Sequence, residues 1–326
     1  MNFNIGDEHN GKSVLCYLKN VAKISSGTIS QLKKIDLGIT VNDAHVTVRY
    51  ILKTGDTLSI KIDDNEDMTS ENVLPVDLSV EIIYEDEHIM AINKPPFMPT
   101  HPSHKHFSDT LGNAVAHIYK ERGLPFVFRP LGRLDANTSG LVVLSKNRAI
   151  ASFYFGESQA NQISKHYIAI LDGEMNIPTY AEDKKVYTID KSIKRTSDSI
   201  ITREVSDDDD ALPAKTLYRL IYSGNGISIV DAQPITGRTH QLRVHFAHLG
   251  YPLVNDGFYG NNDNNNDRHL LHAIALHLKA PFSERKMLLF AEPMPDICDF
   301  VKAKTNMNLK EILSGYDFSL DLSHNL

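Results

Sequence analysis

The sequence predicts an α+β protein: a larger part built on a mostly antiparallel, mixed sheet, preceded by a small α+β module. Three observations predict it. Strand-like segments outnumber segments of helical spacing along the 326 residues. Adjacent strand segments are joined by short turns, which suits antiparallel pairing and leaves little room for helical crossovers. An abrupt change in charge after residue 62 marks a boundary between the two parts.

Residues 11 to 62 open with Val14, Leu18 and Val21 at helical spacing, and Ile29 with Leu32 continue a second helix. "LGITVNDAHVT" and "LKTGDTLSIKI" then alternate like strands, with Asn42-Asp43 and Gly55-Asp56 as turn signals. Residues 1 to 62 together carry eight Lys and Arg against five Asp and Glu, so this part is net positive. Residues 63 to 77 hold six acids and no base, which is linker composition. The expected division is therefore a module over 1–64, an acidic linker over 65–78 and a larger domain over 79–326.

In the larger domain "VEIIYEDEHIMAINKPP" reads as two strands around a turn at Glu85 to Glu87. Thr110 is placed to cap a helix carrying Leu111, Val115 and Ile118, closed by Gly123. "GLVVLSKN" has the unbroken apolar run of a strand buried on both faces, and "KHYIAILDG" is a further strand. "TLYRLIYSGNGISIVDAQ" predicts a hairpin turning at Ser223 to Gly226. Leu242, Phe246 and Leu249 predict a helix stopped by Gly250, and "KMLLFAEPMP" a strand followed by a short helix. "SDDDD" at 206–210 and "GNNDNNND" at 260–267 read as solvated loops.

Composition excludes several classes. With 41% apolar and 23% charged residues the chain is of ordinary globular type. No stretch approaches the roughly 18 apolar residues of a membrane helix. The first ten residues lack a signal pattern, and the two cysteines, Cys16 and Cys298, are far apart, so the expected location is the cytoplasm. His101, His104 and His106 invite a metal reading, yet no zinc or iron ligand pattern accompanies them. Neither the dinucleotide nor the P-loop glycine signature occurs, which speaks against both of those readings. The net charge of -7 means that any nucleic-acid face must be local.

Asp135, in "RPLGRLDANTSGLVVLSKN", reads in two ways: a turn residue accepting backbone hydrogens ahead of a strand, or a carboxylate held for chemistry. A second stretch, "PITGRTHQLRVHFAHLG", bears on the choice. Arg238, Gln241 and Arg243 cluster at a helix start, where the dipole favours anions rather than cations. That cost points to an anionic partner, phosphate or carboxylate, with Asp135 a candidate for the latter.

"GRLDANTSGL" resembles the catalytic motif of pseudouridine synthases. "NKPPFMPTHPS", "KHYIAIL" and "PITGRTHQLRVHFAHLGYPLVNDGFYG" resemble, in order, further motifs of the RluA-type family, so the resemblance runs from about residue 80 to 295. The first module is similar to the small RNA-binding domain, first known from a ribosomal small-subunit protein, that many members carry. One position departs: Gly132 stands where the RluA type usually has His, and Gly-Arg-Leu-Asp is more typical of the sister RsuA type.

The resemblance implies an isomerase that turns specific uridines of structured RNA, ribosomal before transfer RNA, into pseudouridine without metal or cofactor. It implies Asp135 as the essential carboxylate, Tyr167 packing on the target base, Arg243 as the cation beside Asp135, and Arg133 filling the space the flipped base leaves. Lys33, Lys34, Arg238 and Gln241 are the expected further RNA contacts, and a monomer is expected. The competing classes are a non-catalytic RNA-binding protein of the same fold and a carboxylate-pair glycosidase; the second lacks a second acid in the motif.

Overall fold

The computed structural model describes residues 1–61, 73–155, 163–260, 268–281, 285–319 and 322. The greater part of the expected acidic linker, and residues 261–267 of the asparagine-rich stretch, lie outside them.

The first sheet has four strands in the order β1-β4-β2-β3: β1 Asn2–Asn4, β2 Ile39–Val41, β3 Ala44–His45 and β4 Thr57–Ile60. Asn42 and Asp43 both have positive φ, 50° and 64°, the conformation of a tight hairpin turn whose twist matches its strands. α1, Val14–Cys16, runs on through a wider turn at Tyr17–Val21, and α2, Ser26–Leu32, is capped by the Ser25 hydroxyl. Val14, Leu18, Ile29 and Leu32 meet Val41, Leu58 and Ile60 in a separate apolar cluster. Ala149 joins that cluster from the following part of the chain, and Arg148 donates to Gln31 at 3.0 Å. β1 escaped the sequence reading because three residues carry too little alternation to stand out.

The second sheet has nine strands. β5 Glu81–Glu85, β6 Ile89–Lys94 and β7 Ser139–Ser145 lead to β14 Leu271–Lys279, then to β8 Ile163–Asp172, β13 Ile227–Pro234, β12 Lys215–Gly224 and β9 Tyr187–Asp190. β15, Lys286–Phe290, pairs with the far half of β14. A two-stranded ribbon, β10 Ile193–Arg195 with β11 Arg203–Val205, stands apart. Pairing is antiparallel throughout the described strands except where Ser139 and Gly140 of β7 run parallel to His272 and Ala273 of β14. The fold is therefore α+β with a mixed, mostly antiparallel sheet, as the short turns predict.

That parallel contact is close. A Cβ on Gly140 would lie 2.4 Å from the Ala273 carbonyl oxygen, so only glycine lets β7 dock on β14 there. β7 is buried over its whole length, as its unbroken apolar run requires. Along β8 the side chains alternate: Tyr167, Ala169 and Leu171 join the main core, and Ile168 and Ile170 face a second cluster. The main core is closed by α3, Leu111–Glu121, whose Thr110 and Asn113 form a reciprocal cap, and by α4, Arg148–Phe155. The second cluster is closed by α6, Pro295–Thr305, and α7, Leu309–Leu313. α5, Gln241–His248, follows β13 and buries Phe246. No helix among the described residues is long and apolar enough to cross a membrane.

β14 was not anticipated, since His272 and His277 interrupt the apolar run of "LLHAIALHLK". Both are satisfied within the fold: His272 meets Ser139 at 2.9 Å, and His277 meets the Phe318 carbonyl at 2.7 Å.

Candidate active site

Asp135 sits in the loop that enters β7, and the loop is fixed one carbonyl at a time. The Thr100 hydroxyl donates to the Leu134 carbonyl at 2.9 Å and accepts the Leu134 N–H at 3.2 Å. The Thr138 N–H donates to the Asp135 carbonyl at 3.1 Å. Lys94, fully buried at the end of β6, donates to the Ala136 carbonyl at 3.1 Å and to those of Pro95 and Met98 at 2.9 and 2.8 Å. Arg268 donates to the Asn137 carbonyl at 3.1 Å, itself held by Asp296 at the start of α6. Four consecutive carbonyls are thus bound by four different donors, and such a loop holds its side chains in one geometry.

The question raised by Asp135 has a structural answer. The turn is closed by its main-chain carbonyl, and among the described residues its carboxylate accepts no hydrogen bond. The side chain, 27% exposed, instead faces Nε2 of His240 and a terminal nitrogen of Arg243, each at 3.8 Å. It does not serve as the side-chain acceptor of an Asx turn.

Arg243 is the third residue of α5 and is almost fully buried. Expected as the cation beside Asp135, it sends both prongs of its fork to Asp256, at 2.8 and 2.6 Å. The reason is space: Asp256 is wholly buried beside it, and a bidentate pair with a desolvated carboxylate is the stronger bond. Burial pushes the Asp256 carboxyl up, but the Arg243 hydrogen bonds and charge outweigh it and leave the pKa below the ordinary value. The remaining Arg243 nitrogen is left for Asp135. The guanidinium lies 5.3 and 5.0 Å from the Phe258 and Tyr259 ring centres, contacts that help hold it in place.

His240 caps α5 in a left-handed conformation, φ 57°, and its Nδ1 meets the Tyr259 hydroxyl at 2.8 Å. Burial lowers its pKa, and Arg243 lowers it further against the opposing pull of Asp135, so the ring is neutral at pH 7. His269, on the Thr138 hydroxyl at 2.8 Å, is driven by burial to a pKa of about 3 and is neutral as well. Burial, then the charge of Arg268, lowers Lys94 to about 7, with Asp135 opposing. Tyr167 is buried on β8; burial, then the Asp135 charge, raises its pKa, so the phenol stays protonated.

Asp135, Tyr167, Arg243, Arg133, Arg238 and Gln241 line one pocket of about 130 Å³. Arg133 is exposed. Arg238 donates from Nε to the Pro213 carbonyl at 2.9 Å and keeps its terminal nitrogens outside that bond. Gln241, expected as an RNA contact, has its amide engaged inside the protein: its oxygen accepts from Thr236 and the Arg238 N–H, and its nitrogen donates to Lys215 and Thr216. Lys33 and Lys34 are exposed at the end of α2 and are not part of this pocket. The sequence reading assigned no role to Lys94, Thr100, His240, Asp256, Arg268 or His269. Lys94 and Asp256 lie inside quoted motifs, and Arg268 carries no local signal at all.

Gly132 has φ 119°, a conformation that side chains rarely adopt, while space at its Cβ position is open apart from the Lys165 ammonium at 3.5 Å. Gly132→Ala is therefore expected to cost about 1 kcal/mol or more through the backbone alone. Gly132→His should cost at least as much and lower turnover by shifting Asp135. Urea unfolding of both variants checks this, and parental stability would show that the loop has another backbone conformation.

Comparison with known proteins fits this geometry. The family description "RNA pseudouridylate synthase" matches residues 88–248. An uncharacterized RNA pseudouridine synthase of Bacillus subtilis is 31% identical over 283 residues, covering 87% of this chain and 96% of that protein. Ribosomal large subunit pseudouridine synthase D of Zymomonas mobilis is 29% identical over 86% of each chain. The mitochondrial tRNA pseudouridine(32) synthase of Saccharomyces cerevisiae is 29% identical over 69% of this chain and 45% of its own length.

Proposed function

The chain belongs to the RluA-type family of RNA pseudouridine synthases, and from that premise we propose that its pocket takes a uridine turned out of folded RNA and isomerises it with Asp135 as the essential group. The observation that carries this reading is the Asp135 carboxylate, without a hydrogen bond among the described residues, in a fixed loop, lining a pocket with a buried arginine 3.8 Å away.

The reaction breaks the bond from uracil N1 to ribose C1′ and forms one from C5 to C1′. N1 gains a hydrogen, C5 loses one, and nothing is oxidised. An ionised carboxylate is needed, whether it attacks sugar or base or removes a ribose proton. Arg243 supports the charged form, because a cation nearby favours a carboxylate that burial would otherwise neutralise. Tyr167 offers an aromatic face for the extruded base, and its phenol stays neutral beside Asp135. Arg133, exposed and lining the same pocket, is in this reading the side chain that fills the gap in the RNA stack. Arg238 offers its terminal nitrogens to phosphate. Gln241 holds the wall that presents Arg238 and His240.

The proposed substrate is ribosomal RNA. The relative named for the large ribosomal subunit aligns over 86% of this chain, which leaves too few residues outside to omit the whole first module. In this reading residues 1–64 form an RNA-binding domain joined through an acidic linker at 65–78 to a catalytic domain at 79–326. Purified protein in a chelating buffer should then form pseudouridine in large-subunit ribosomal RNA transcripts and not in transfer RNA transcripts. Modification of transfer RNA alone would transfer the assignment to that substrate, and a requirement for added metal would contradict the protein-only chemistry.

Lys33 and Lys34 test the first module. Replacing both by Gln should lower the salt dependence of binding to a long RNA by about 1 to 2 in slope, since each phosphate contact contributes a little under 1. An unchanged slope would make them ordinary solvated lysines.

A further inference from the structure

We propose that Lys165 binds a backbone phosphate of the RNA beside the target uridine. The proposal rests on the reading that the Asp135 pocket receives that uridine, and it adds a residue to which no role has been given so far.

Lys165 lies two residues before Tyr167 on β8, so the two share the face that carries Ala169 and Leu171. Its ammonium is 3.5 Å from the point where a side chain on Gly132 would begin, directly beneath the loop that carries Arg133 and Asp135. The other buried cations around the site are all matched: Lys94 by three carbonyls, Arg243 by Asp256 and Arg268 by Asp296. Lys165 is the exception. It is partly buried, yet among the described residues its ammonium has no hydrogen-bond or ion-pair partner.

Withdrawal from water lowers its pKa to about 8, and no carboxylate offsets that burial. A cation left in this condition destabilises the free protein and is stabilised when an anion arrives. The anions that reach this place are the phosphates flanking a uridine seated against Tyr167. Gly132 matters here in a second way: with no side chain at that position, nothing from the loop fills the space next to the ammonium.

The test measures affinity against salt for an RNA that the parent modifies, using full-length protein carrying Asp135→Asn so that no turnover occurs. Adding Lys165→Met should weaken binding about tenfold at low salt and reduce the slope by about 0.7, the contribution of one phosphate on a single strand. Lys165→Arg should keep the slope. Replacing the flanking phosphates by uncharged methylphosphonates, one at a time, should abolish the difference between Lys165 and Met at one position. The unfolding midpoint of Lys165→Met should equal or exceed the parent's, because an unmatched cation is removed. An unchanged slope, a loss shared equally by Lys165→Arg, or a lowered midpoint revealing a partner within the protein would each overturn the proposal. Should Asp135→Asn retain parental turnover, the reading of the pocket fails, while the salt slopes still decide whether Lys165 meets a phosphate.

Discussion

Asp135→Asn is expected to leave the fold and RNA affinity almost unchanged while lowering turnover by at least about a thousandfold, the scale on which loss of an essential catalytic group is felt. The two halves have separate causes. The loop is held through its main chain and through Lys94, Thr100 and Arg268, none of which touches the Asp135 carboxylate. Its contacts with the neutral His240 ring and the Arg243 guanidinium are 3.8 Å long and partly exposed on the Asp135 side, so their loss should cost less than about 1 kcal/mol. The amide keeps the shape but cannot stay charged, attack a carbon or take a proton. Urea unfolding, RNA binding and turnover measured side by side separate the three effects. Turnover within tenfold of the parent would remove Asp135 from the chemistry.

Arg243→Ala should be the most destabilising single change at the site, at about 3 to 5 kcal/mol, because it strands a wholly buried carboxylate at Asp256. Activity should vanish with it, since Asp135 loses its cation. Removing both partners, Arg243→Ala with Asp256→Ala, should recover part of the stability and none of the activity, as no uncompensated charge remains. The sign of the pH effect follows from the depressed pKa of Asp256. A carboxyl lowered on folding stabilises the native state above its unfolded pKa, near 3.9, and that contribution is lost as pH falls through the folded value. The parent should therefore lose stability in acid faster than the double variant. Equal acid sensitivity, or a loss below about 1 kcal/mol for Arg243→Ala, would mean that the pair is weaker than its geometry indicates.

What the sequence discloses, and what it conceals, follows from how far apart the interacting groups lie along the chain. The Asp135 loop is legible because its glycines, its charged residues and the buried strand after it are contiguous. The α3 cap is legible because Thr110 and Asn113 are three residues apart and act on each other. The tie from Arg268 to the Asn137 carbonyl spans 131 residues and leaves no local pattern, so the device that holds the loop is invisible until the chain folds. The Arg-rich start of α5 was rightly read as demanding an anion. Arg243 does lie beside Asp135, but its stronger, bidentate partner is Asp256, thirteen residues on, which nothing local distinguishes from Asp135. α4 escaped for another reason: Asn147, read as the end of a strand segment, is the acceptor for the Ile150 N–H and so starts the helix.

The most direct test of the central claim follows the hydrogen that the reaction must expel. RNA carrying tritium at C5 of its uridines, held in saturating enzyme for a single turnover, reports the joining of C5 to the sugar and nothing else. The parent should release one tritium per uridine converted, with no added metal or cofactor. Asp135→Asn, bound to the same RNA to the same extent, should release none over the same period. Release by the variant at a tenth of the parental rate or faster would contradict the assignment of the reaction to this carboxylate.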